Sequence, residues 1–460
     1  MFDDTIAAIA TPLGEGGLAV IRISGPQALA VADKTFTPVG KNSLKPSAAP
    51  THTIHFGRVV RDGKTIDEVL VAVLRAPRTF TREDIVEITC HGGVLPSKMV
   101  LDTVLAAGAR LAEPGEFTRR AFLNGRIDLA QAEAVADIIH SRTDLALRAA
   151  NEQLAGKLSQ RINQLRDDLL KTLAHVEAYI DFPDEDLPEE TQAQLLARLE
   201  GGAAFMAELL RTADEGQILR RGIRAAIIGR PNAGKSSLLN QLLGHDRAIV
   251  SPIAGTTRDT IEETANIRGL PVVFIDTAGL REGRDEIEVE GIRRSRESFT
   301  KAELILHVLD ASEPLTEADE KYLAEFAGKK RLLVRNKTDL PLKLELPAES
   351  RFTNHVSCVD VCCLTGQGLE DVKDAIKELV WSGEIRNEML QVMINSRHQD
   401  ALNRALGATQ LTIGALRAGA TLELAAMDLR IAVNAVGEIV GKTTTEDLLD
   451  LIFSQFCIGK

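Results

Sequence analysis

The sequence predicts a multidomain protein with an N-terminal α+β domain, an all-α helical domain, and a P-loop, Ras-like G domain of the α/β class inserted into the helical domain. Three observations lead to this prediction. Residues 229–236 read GRPNAGKS, which fits the phosphate-binding pattern G-x-x-x-x-G-K-[ST] between an apolar strand and a helical segment. Residues 1–118 combine short strands with helices. Helical periodicity precedes the phosphate loop and resumes well after it.

The N-terminal segment is predicted to contain strands at 17–23, 69–74 and 84–89 and a helix at 95–107. The helical pattern that follows is interrupted at 181–188, where two prolines and four acids cannot continue a helix. The predicted domains are an α+β domain (1–118), the first helical part (119–215), the G domain (216–380) and the second helical part (381–460).

Composition is that of a globular protein, since 460 residues suffice for two or three domains and 44% of them are apolar. The net charge of −12 argues against a large nucleic-acid footprint, because phosphate contacts dominate such binding, although a local basic patch is compatible with it. We expect a cytoplasmic protein with neither a secretion signal nor a membrane span. The five cysteines lack zinc-site or disulfide spacing, which favours a reducing compartment: Cys90, Cys358, Cys362, Cys363 and Cys457.

The phosphate loop predicts binding of a nucleoside triphosphate. Its glycines let backbone N–H groups turn towards phosphates, and Lys235 is expected to reach the β- and γ-phosphate oxygens. The Ser236 hydroxyl is expected to ligate Mg²⁺, with Thr257 as the second hydroxyl on the ion. Asp276 ends an apolar strand and is placed to hold a Mg²⁺-bound water. The loops carrying Thr257 and Asp276 are expected to be ordered by the triphosphate and released after hydrolysis.

The base is predicted to be guanine. Residues 336–339 read NKTD after an apolar strand, and the Asp339 carboxylate can accept bonds from guanine N1–H and the exocyclic amine. Adenine has no donor at N1, so a buried Asp339 would discriminate against ATP. The residues expected to contact GTP are Asn232, Ala233, Gly234, Lys235, Ser236, Ser237, Ser251, Pro252, Ile253, Ala254, Gly255, Thr256, Thr257, Asp276, Thr277, Ala278, Gly279, Asn336, Lys337, Thr338 and Asp339.

The group that orients the attacking water is not evident from these motifs. Leu280 follows residues 276–279 where Ras-like enzymes carry a glutamine, and the acidic stretch 282–288 offers alternative candidates. No arginine finger is apparent, although Arg258 and Arg281 are near in sequence. A monovalent cation beside Asn232 would supply the same positive charge.

Segments outside the G domain give a more specific indication. The chain resembles the MnmE (TrmE) family of tRNA-modification GTPases over nearly its whole length. The matching segments read TPLGEGG (11–17), IRISG (21–25), FTRED (80–84), HGG (91–93), PGEF (114–117), RAFLN (120–124) and the terminal FCIGK (456–460).

This resemblance implies a homodimer whose N-terminal domain resembles folate-binding domains and takes a 5-formyl-tetrahydrofolate-type cofactor. It also implies an FAD- and NADH-dependent partner, MnmG, in a heterotetramer or larger assembly that modifies the wobble uridine of certain tRNAs at carbon 5. The implied folate contacts are Arg22, Glu87, Arg126 and Lys460, with Cys457 close by.

The resemblance further implies a potassium-activated enzyme whose G domains dimerise when GTP binds. The implied K⁺ contacts are Asn232, Ser251, Ile253 and Thr256. Glu288 occupies the position of the acid that orients the water, and Lys235, Thr257 and Asp276 complete the expected catalytic set.

One motif departs from the family pattern. Family members carry Ser-Ala-x-Thr-Gly as the last guanine-contacting loop, whereas the frame ending in Gly366 here gives Cys362-Cys363-Leu364. A second frame begins at the pair Ser357-Cys358. The sequence leaves open which frame contacts guanine.

Two alternative functions compete with tRNA modification. A ribosome-assembly GTPase related to Era or Der would share the G domain, but we find no G-x-x-G loop in a basic setting. A folate-binding scaffold with a purely regulatory GTPase would share the N-terminal features.

Overall fold

The computed structural model describes residues 3–40, 43–181, 192–244, 262–275, 301–326, 328–346, 356–381 and 387–459. The strands are β1 (Ile6–Ile9), β2 (Leu18–Ser24), β3 (Phe36–Pro38), β4 (Thr53–Arg61), β5 (Lys64–Leu74), β6 (Ile85–His91), β7 (Arg110–Leu111), β8 (Ile223–Ile228), β9 (Glu263–Ile267), β10 (Leu270–Phe274), β11 (Leu304–Asp310), β12 (Lys330–Asn336) and β13 (Val356–Asp360).

The α-helices, numbered within the described ranges, are α1 (Ala28–Thr35), α2 (Val94–Ala106), α3 (Glu116–Leu123), α4 (Leu129–His140), α5 (Asp144–Leu154), α6 (Lys157–Asp181), α7 (Gln192–Arg211), α8 (Ala213–Arg221), α9 (Lys235–Leu243), α10 (Glu317–Glu325), α11 (Leu369–Val380), α12 (Asn387–Leu390), α13 (Ser396–Arg417), α14 (Leu422–Val440) and α15 (Glu446–Phe453). A short 3₁₀ helix spans Pro46–Ala48.

The chain forms two compact units, taken here over their described residues. The first comprises residues 1–136, 159–181 and 426–460, and the second comprises 137–158 and 182–425. The helices predicted to form one all-α domain therefore contribute to both units. The bounds of the four predicted segments stay a prediction.

The first unit is built on a seven-stranded sheet of order β3-β4-β5-β6-β2-β1-β7. Neighbouring strands are antiparallel except β1 and β7, which are parallel. Alternate residues of β2, β5 and β6 are fully buried against α1 and α2, which follows from the two-residue side-chain period of a strand. The three strands and the helix predicted for this region are confirmed as β2, β5, β6 and α2, whereas α1 and the strands β1, β3, β4 and β7 were not predicted.

A buried charge network lies beside this sheet. Arg120 of α3 is fully buried, and its guanidinium contacts the carboxylates of Asp4 (2.7 Å), Glu83 (3.2 Å) and Glu116 (2.9 Å). Arg110 also contacts Asp4 and Glu116, each at 2.6 Å. Burial by itself raises the pKa of Glu116, but hydrogen bonds from Arg110, the Glu113 N–H and Arg120 hold that pKa below its ordinary value. The network therefore joins the N-terminal segment, the β5–β6 loop and α3.

The second unit is built on a six-stranded sheet of order β13-β12-β11-β8-β10-β9. All neighbours are parallel except the β9–β10 hairpin. The inner strands read as apolar runs, because helices cover both faces of such a sheet. The carboxyl ends of β8, β11 and β12 lie at one edge, where the predicted nucleotide motifs begin.

A helix from the first predicted helical segment packs on this unit. A Cβ added to Gly269 would lie 2.3 Å from Cδ1 of Leu145. The Leu145 side chain of α5 therefore packs directly against this glycine. Arg142, just before α5, donates from Nη1 to Thr264 Oγ1 at 2.5 Å. Both contacts fall on the β9–β10 hairpin, which links the two segments predicted to respond to the γ-phosphate.

Candidate functional site

The phosphate loop joins β8 to α9, and its backbone requires glycine at two positions. Gly229 and Gly234 have φ values of 142° and 100°. A Cβ on Gly229 would lie 2.2 Å from the carbonyl oxygen of Val308, and one on Gly234 would lie 2.0 Å from Asn336 Nδ2. Asn232 also has a positive φ, of 62°, which is uncommon for a residue with a side chain.

The first turn of α9 places Lys235, Ser236 and Ser237 at its N-terminus, where free N–H groups and the helix dipole favour anions. Lys235 Nζ donates to the carbonyl oxygen of Arg230 at 2.7 Å, so its ammonium group folds back over the loop. The structure thus positions the predicted Lys235 and Ser236 beside the same backbone cradle.

Asn336 braces the phosphate loop against the last loop of the site. Its Nδ2 donates to the Ala233 carbonyl at 2.9 Å, and its Oδ1 accepts from the Cys363 N–H at 3.1 Å. The residue is 3% exposed. Its side-chain amide therefore links two loops of the chain. The motif alone did not indicate this role.

Lys337 is fixed by an acid that the sequence analysis missed. Its Nζ lies 2.6 Å from Asp310 Oδ2 at the end of β11. Burial by itself raises the pKa of Asp310, but hydrogen bonds from Lys337 and Ser312 hold it below its ordinary value. The Thr338 N–H donates to the Val361 carbonyl at 3.4 Å. These contacts fix the backbone that presents Asp339.

Asp339 lies in an open cavity of about 670 Å³, a size typical of ligand sites. Cys362 donates from its thiol to Asp339 Oδ1, with an S–O distance of 3.2 Å. The cavity lining joins the phosphate loop to the base-recognition motif: Asn232, Gly234, Ser237, Asn240, Gln241, Asn336, Lys337, Asp339, Leu340, Cys362, Cys363 and Leu364.

The structure distinguishes the two frames for the last loop. Ser357 and Cys358 lie within β13 and pair with Leu332 and Leu333 of β12. Cys362, Cys363 and Leu364 instead line the cavity. The frame ending in Thr365-Gly366 therefore lies at the cavity predicted to hold the guanine base. In this frame Cys362 has a thiol where family members have the hydroxyl of a serine.

Replacing Cys362 by Ser should tighten GDP binding a few-fold, because a hydroxyl is a stronger donor to Asp339 than a thiol. Replacing it by Ala should weaken binding about threefold to tenfold, since one hydrogen bond is lost. Fluorescent-GDP titration measures both, with Cys358→Ala on β13 as the control. Equal affinities for all the variants would remove Cys362 from base recognition.

In the first unit, Arg22 and Glu87 face each other across β2 and β6, with Arg22 Nε 2.8 Å from Glu87 Oε1. The Arg22 guanidinium lies 5.7 Å from the ring centre of Phe117 and 3.4 Å from the Gly459 carbonyl oxygen. The C-terminal tail therefore borders this pair. Cys457 is exposed in that tail.

Arg126 joins the same region through a second aromatic ring. Its guanidinium lies 5.8 Å from the ring centre of Phe80. Phe80 packs against a cluster that contains Phe117, so the two arginines cover rings of one cluster. Of the residues implied for folate, Arg22 and Glu87 are therefore in direct contact, and Arg126 lies over a ring that packs against the same cluster.

The remaining predicted residues lie outside the described part of the chain, so the structure does not locate them. They are Ser251, Pro252, Ile253, Ala254, Gly255, Thr256, Thr257, Asp276, Thr277, Ala278, Gly279, Glu288 and Lys460. No helix in the described ranges combines the length and apolar character that crossing a bilayer requires.

The sequence was compared with known proteins. The model of the MnmE helical domain matches residues 129–457, and that of the GTP-binding protein TrmE N-terminus matches residues 5–126. The tRNA modification GTPase MnmE of Geobacillus kaustophilus (strain HTA426) is 48% identical over 99% of each chain. That of Geobacter metallireducens (strain ATCC 53774 / DSM 7210 / GS-15) is 47% identical over 100% of this chain and 99% of the relative.

A parallel sheet with a phosphate loop and an Asp-containing base motif defines a P-loop protein that binds guanine nucleotides. With both family models matched and relatives of this identity over the full length, the chain belongs to the MnmE family of tRNA modification GTPases. It is a GTP hydrolase that takes part in tRNA modification. Family membership decides against the ribosome-assembly alternative.

Proposed function

We propose that this chain is a potassium-activated, Mg²⁺-dependent cytoplasmic GTPase. Together with the FAD-dependent protein MnmG, it forms the 5-carboxymethylaminomethyl or a related aminomethyl group on the wobble uridine of certain tRNAs. The observation that carries the proposal is the pairing of Arg22 with Glu87 beside Phe117, in a chain of this family that also has a cavity joining the phosphate loop to Asp339.

In hydrolysis, water attacks the γ-phosphorus, the bond to the β–γ bridging oxygen breaks, and GDP and phosphate leave. Lys235 neutralises charge on the β- and γ-phosphates, and the first turn of α9 donates N–H groups to them. Ser236, with Thr257, would hold Mg²⁺. Glu288 would orient the attacking water through a second water.

A potassium ion would bind at Asn232. This residue lines the cavity beside Gly234 and has a positive φ of 62°. Its amide oxygen is a neutral ligand suited to a monovalent cation. When bound with Ser251, Ile253 and Thr256, K⁺ would stabilise negative charge that an arginine finger stabilises elsewhere.

Exchanging K⁺ for Na⁺ at constant ionic strength and Mg²⁺ should slow GTP hydrolysis about tenfold or more, because the smaller, more strongly hydrated Na⁺ fills a K⁺-sized site poorly and the positive charge at the leaving group is then lost. Phosphate release measures the rate, and fluorescent-GDP affinity in the two salts is the control. Equal rates in K⁺ and Na⁺ would refute potassium activation.

A reduced folate fits the Arg22–Glu87 pair by chemistry. The Glu87 carboxylate can accept from the pterin N–H and amino groups, while Arg126 and Lys460 suit a glutamyl carboxylate. The side chains of Arg22 and Glu87 are 21% and 29% exposed, so a ligand can reach both. When bound, the cofactor would supply the one-carbon unit.

Calorimetric titration with 5-formyl-tetrahydrofolate tests this proposal. Wild-type protein should bind, and Glu87→Gln should bind about tenfold or more weakly, because an amide replaces an acceptor of two donors. Glu68→Gln, which alters an exposed pair with Arg58, should bind normally. Absence of binding to the wild-type protein would overturn the folate assignment.

An exposed apolar face supports the proposed homodimer. Ile54, Phe56 and Leu70 are 68%, 48% and 46% exposed. Cross-strand pairing places Phe56 opposite Leu70, and places Ile54 in line with Ala72, Glu87 and Arg22. The apolar side chains and the charged pair therefore occupy one face, which a second copy of this chain would cover.

A further inference from the structure

The loop between β5 and β6, residues 75–84, carries three arginines with different surroundings. Arg75 is an anchor, because its Nη2 donates to the Ser47 carbonyl at 2.7 Å and its Nε to the Ala49 carbonyl at 3.3 Å. Arg78 and Arg82 are exposed. One guanidinium group of the loop therefore binds the protein backbone, and the other two are exposed.

Several hydrogen bonds hold the loop in one shape. The Arg82 N–H donates to the Thr79 carbonyl at 3.4 Å, which closes a turn over residues 79–82, next to Arg78. Thr79 Oγ1 donates to the Glu83 carbonyl, and Asn124 Nδ2 to the Thr81 carbonyl, both at 2.7 Å. A loop fixed in this way presents Arg78 and Arg82 with little further ordering cost.

The acids of the loop are engaged inside the protein. Glu83 contacts buried Arg120 and accepts from Ser24 Oγ at 2.7 Å. Asp84 Oδ1 accepts from the Ala76 N–H at 2.9 Å. By contrast, within the described ranges Arg78 and Arg82 have no carboxylate partner, and Arg82 Nη1 donates only to the Asn124 carbonyl, at 3.0 Å. The outer surface of the loop is positive although the chain as a whole is acidic.

This surface borders the proposed folate site. Phe80 lies between Arg78 and Arg82 in sequence, and packs against the cluster that contains Phe117. Arg22 covers Phe117, and Arg126 covers Phe80. The loop with its two exposed arginines therefore lies beside the aromatic rings that Arg22 and Arg126 cover.

We propose that Arg78 and Arg82 bind the phosphodiester backbone of the substrate tRNA next to the uridine that is modified. The guanidinium group suits this role, because it is always charged and its planar fork matches two phosphate oxygens. Such contacts position a nucleic acid without reading its sequence, so one surface serves several tRNAs. The inference rests on the proposed function of the Arg22–Glu87 site.

Fluorescence anisotropy with an unmodified tRNA transcript, with uridine at the wobble position, tests the proposal on the full chain. Arg78→Gln and Arg82→Gln should each weaken binding roughly threefold to tenfold. Each should also reduce the slope of log affinity against log salt by about 0.7 to 1, as loss of one phosphate contact requires. Lys321→Gln on α10 is the matched control and should change neither quantity.

Two measurements on the same variants separate this inference from the proposed function. GTP turnover and 5-formyl-tetrahydrofolate binding should stay at wild-type values, because neither arginine contacts those ligands. Unchanged tRNA affinity and salt slope would overturn the inference, as would selective loss of MnmG binding. Failure of wild-type protein to bind the folate would instead refute the site on which the inference rests.

Discussion

Asp339→Asn is expected to change the preferred nucleotide from GTP to xanthosine triphosphate. The Asp339 carboxylate lies in the guanine cavity, where it is expected to accept from N1–H and the exocyclic amine. The asparagine amide replaces one acceptor by a donor, which opposes the guanine amine but suits the 2-oxo group of xanthine. GTP affinity should fall about a hundredfold or more, because bonds to a charged group are lost.

Competition titrations with GTP and xanthosine triphosphate measure this exchange. Asp62→Asn, at an aspartate with a 92% exposed side chain in the first unit, should leave both affinities unchanged. If Asp339→Asn still prefers GTP, the assigned base-recognition role is wrong.

Arg120→Met should destabilise the first unit by about 3–5 kcal/mol, because it leaves buried carboxylates without their cation. Arg120 is fully buried, and Glu83 and Glu116 are 9% and 8% exposed at the side chain. Hydrogen exchange of first-unit peptides in urea measures the loss. The chain has one tryptophan, Trp381 in the second unit, so its fluorescence would miss this effect.

The same ion pairs make the stability of the first unit depend on pH in the acid range. The pKa values of Asp4 and Glu116 lie below 3.8 and 4.5, their ordinary values, so their ion pairs stabilise the fold above these values. That stability is lost as pH falls through the lowered pKa values.

The control for Arg120→Met is Arg61→Met, at an exposed pair with Asp62, which should cost under about 1 kcal/mol. A similar loss for Arg61→Met and Arg120→Met would contradict the buried-network explanation.

Local patterns predicted much of the fold. The apolar strands predicted before the phosphate loop and before NKTD appear as β8 and β12, since apolar runs before nucleotide motifs are typical of a parallel sheet. The helical periodicity predicted to resume after the G domain appears as α13 and α14. These elements depend on periodicity within a few turns of chain, which the sequence displays directly.

Long-range polar contacts could not be predicted in the same way. Arg120 meets Asp4, 116 positions away, and Asn336 meets Ala233, 103 positions away. An arginine in an amphipathic helix looks solvated until its tertiary partners are known. For the same reason the motif alone could not predict that the Asn336 amide joins two loops.

The Asn336 amide connects the two ends of the guanine pocket. Its nitrogen donates to the Ala233 carbonyl, and its oxygen accepts from the Cys363 N–H. We therefore expect a guanine base that contacts the Cys363 loop to stabilise the phosphate loop as well. Pyrophosphate at the phosphate loop should in turn favour binding of the base.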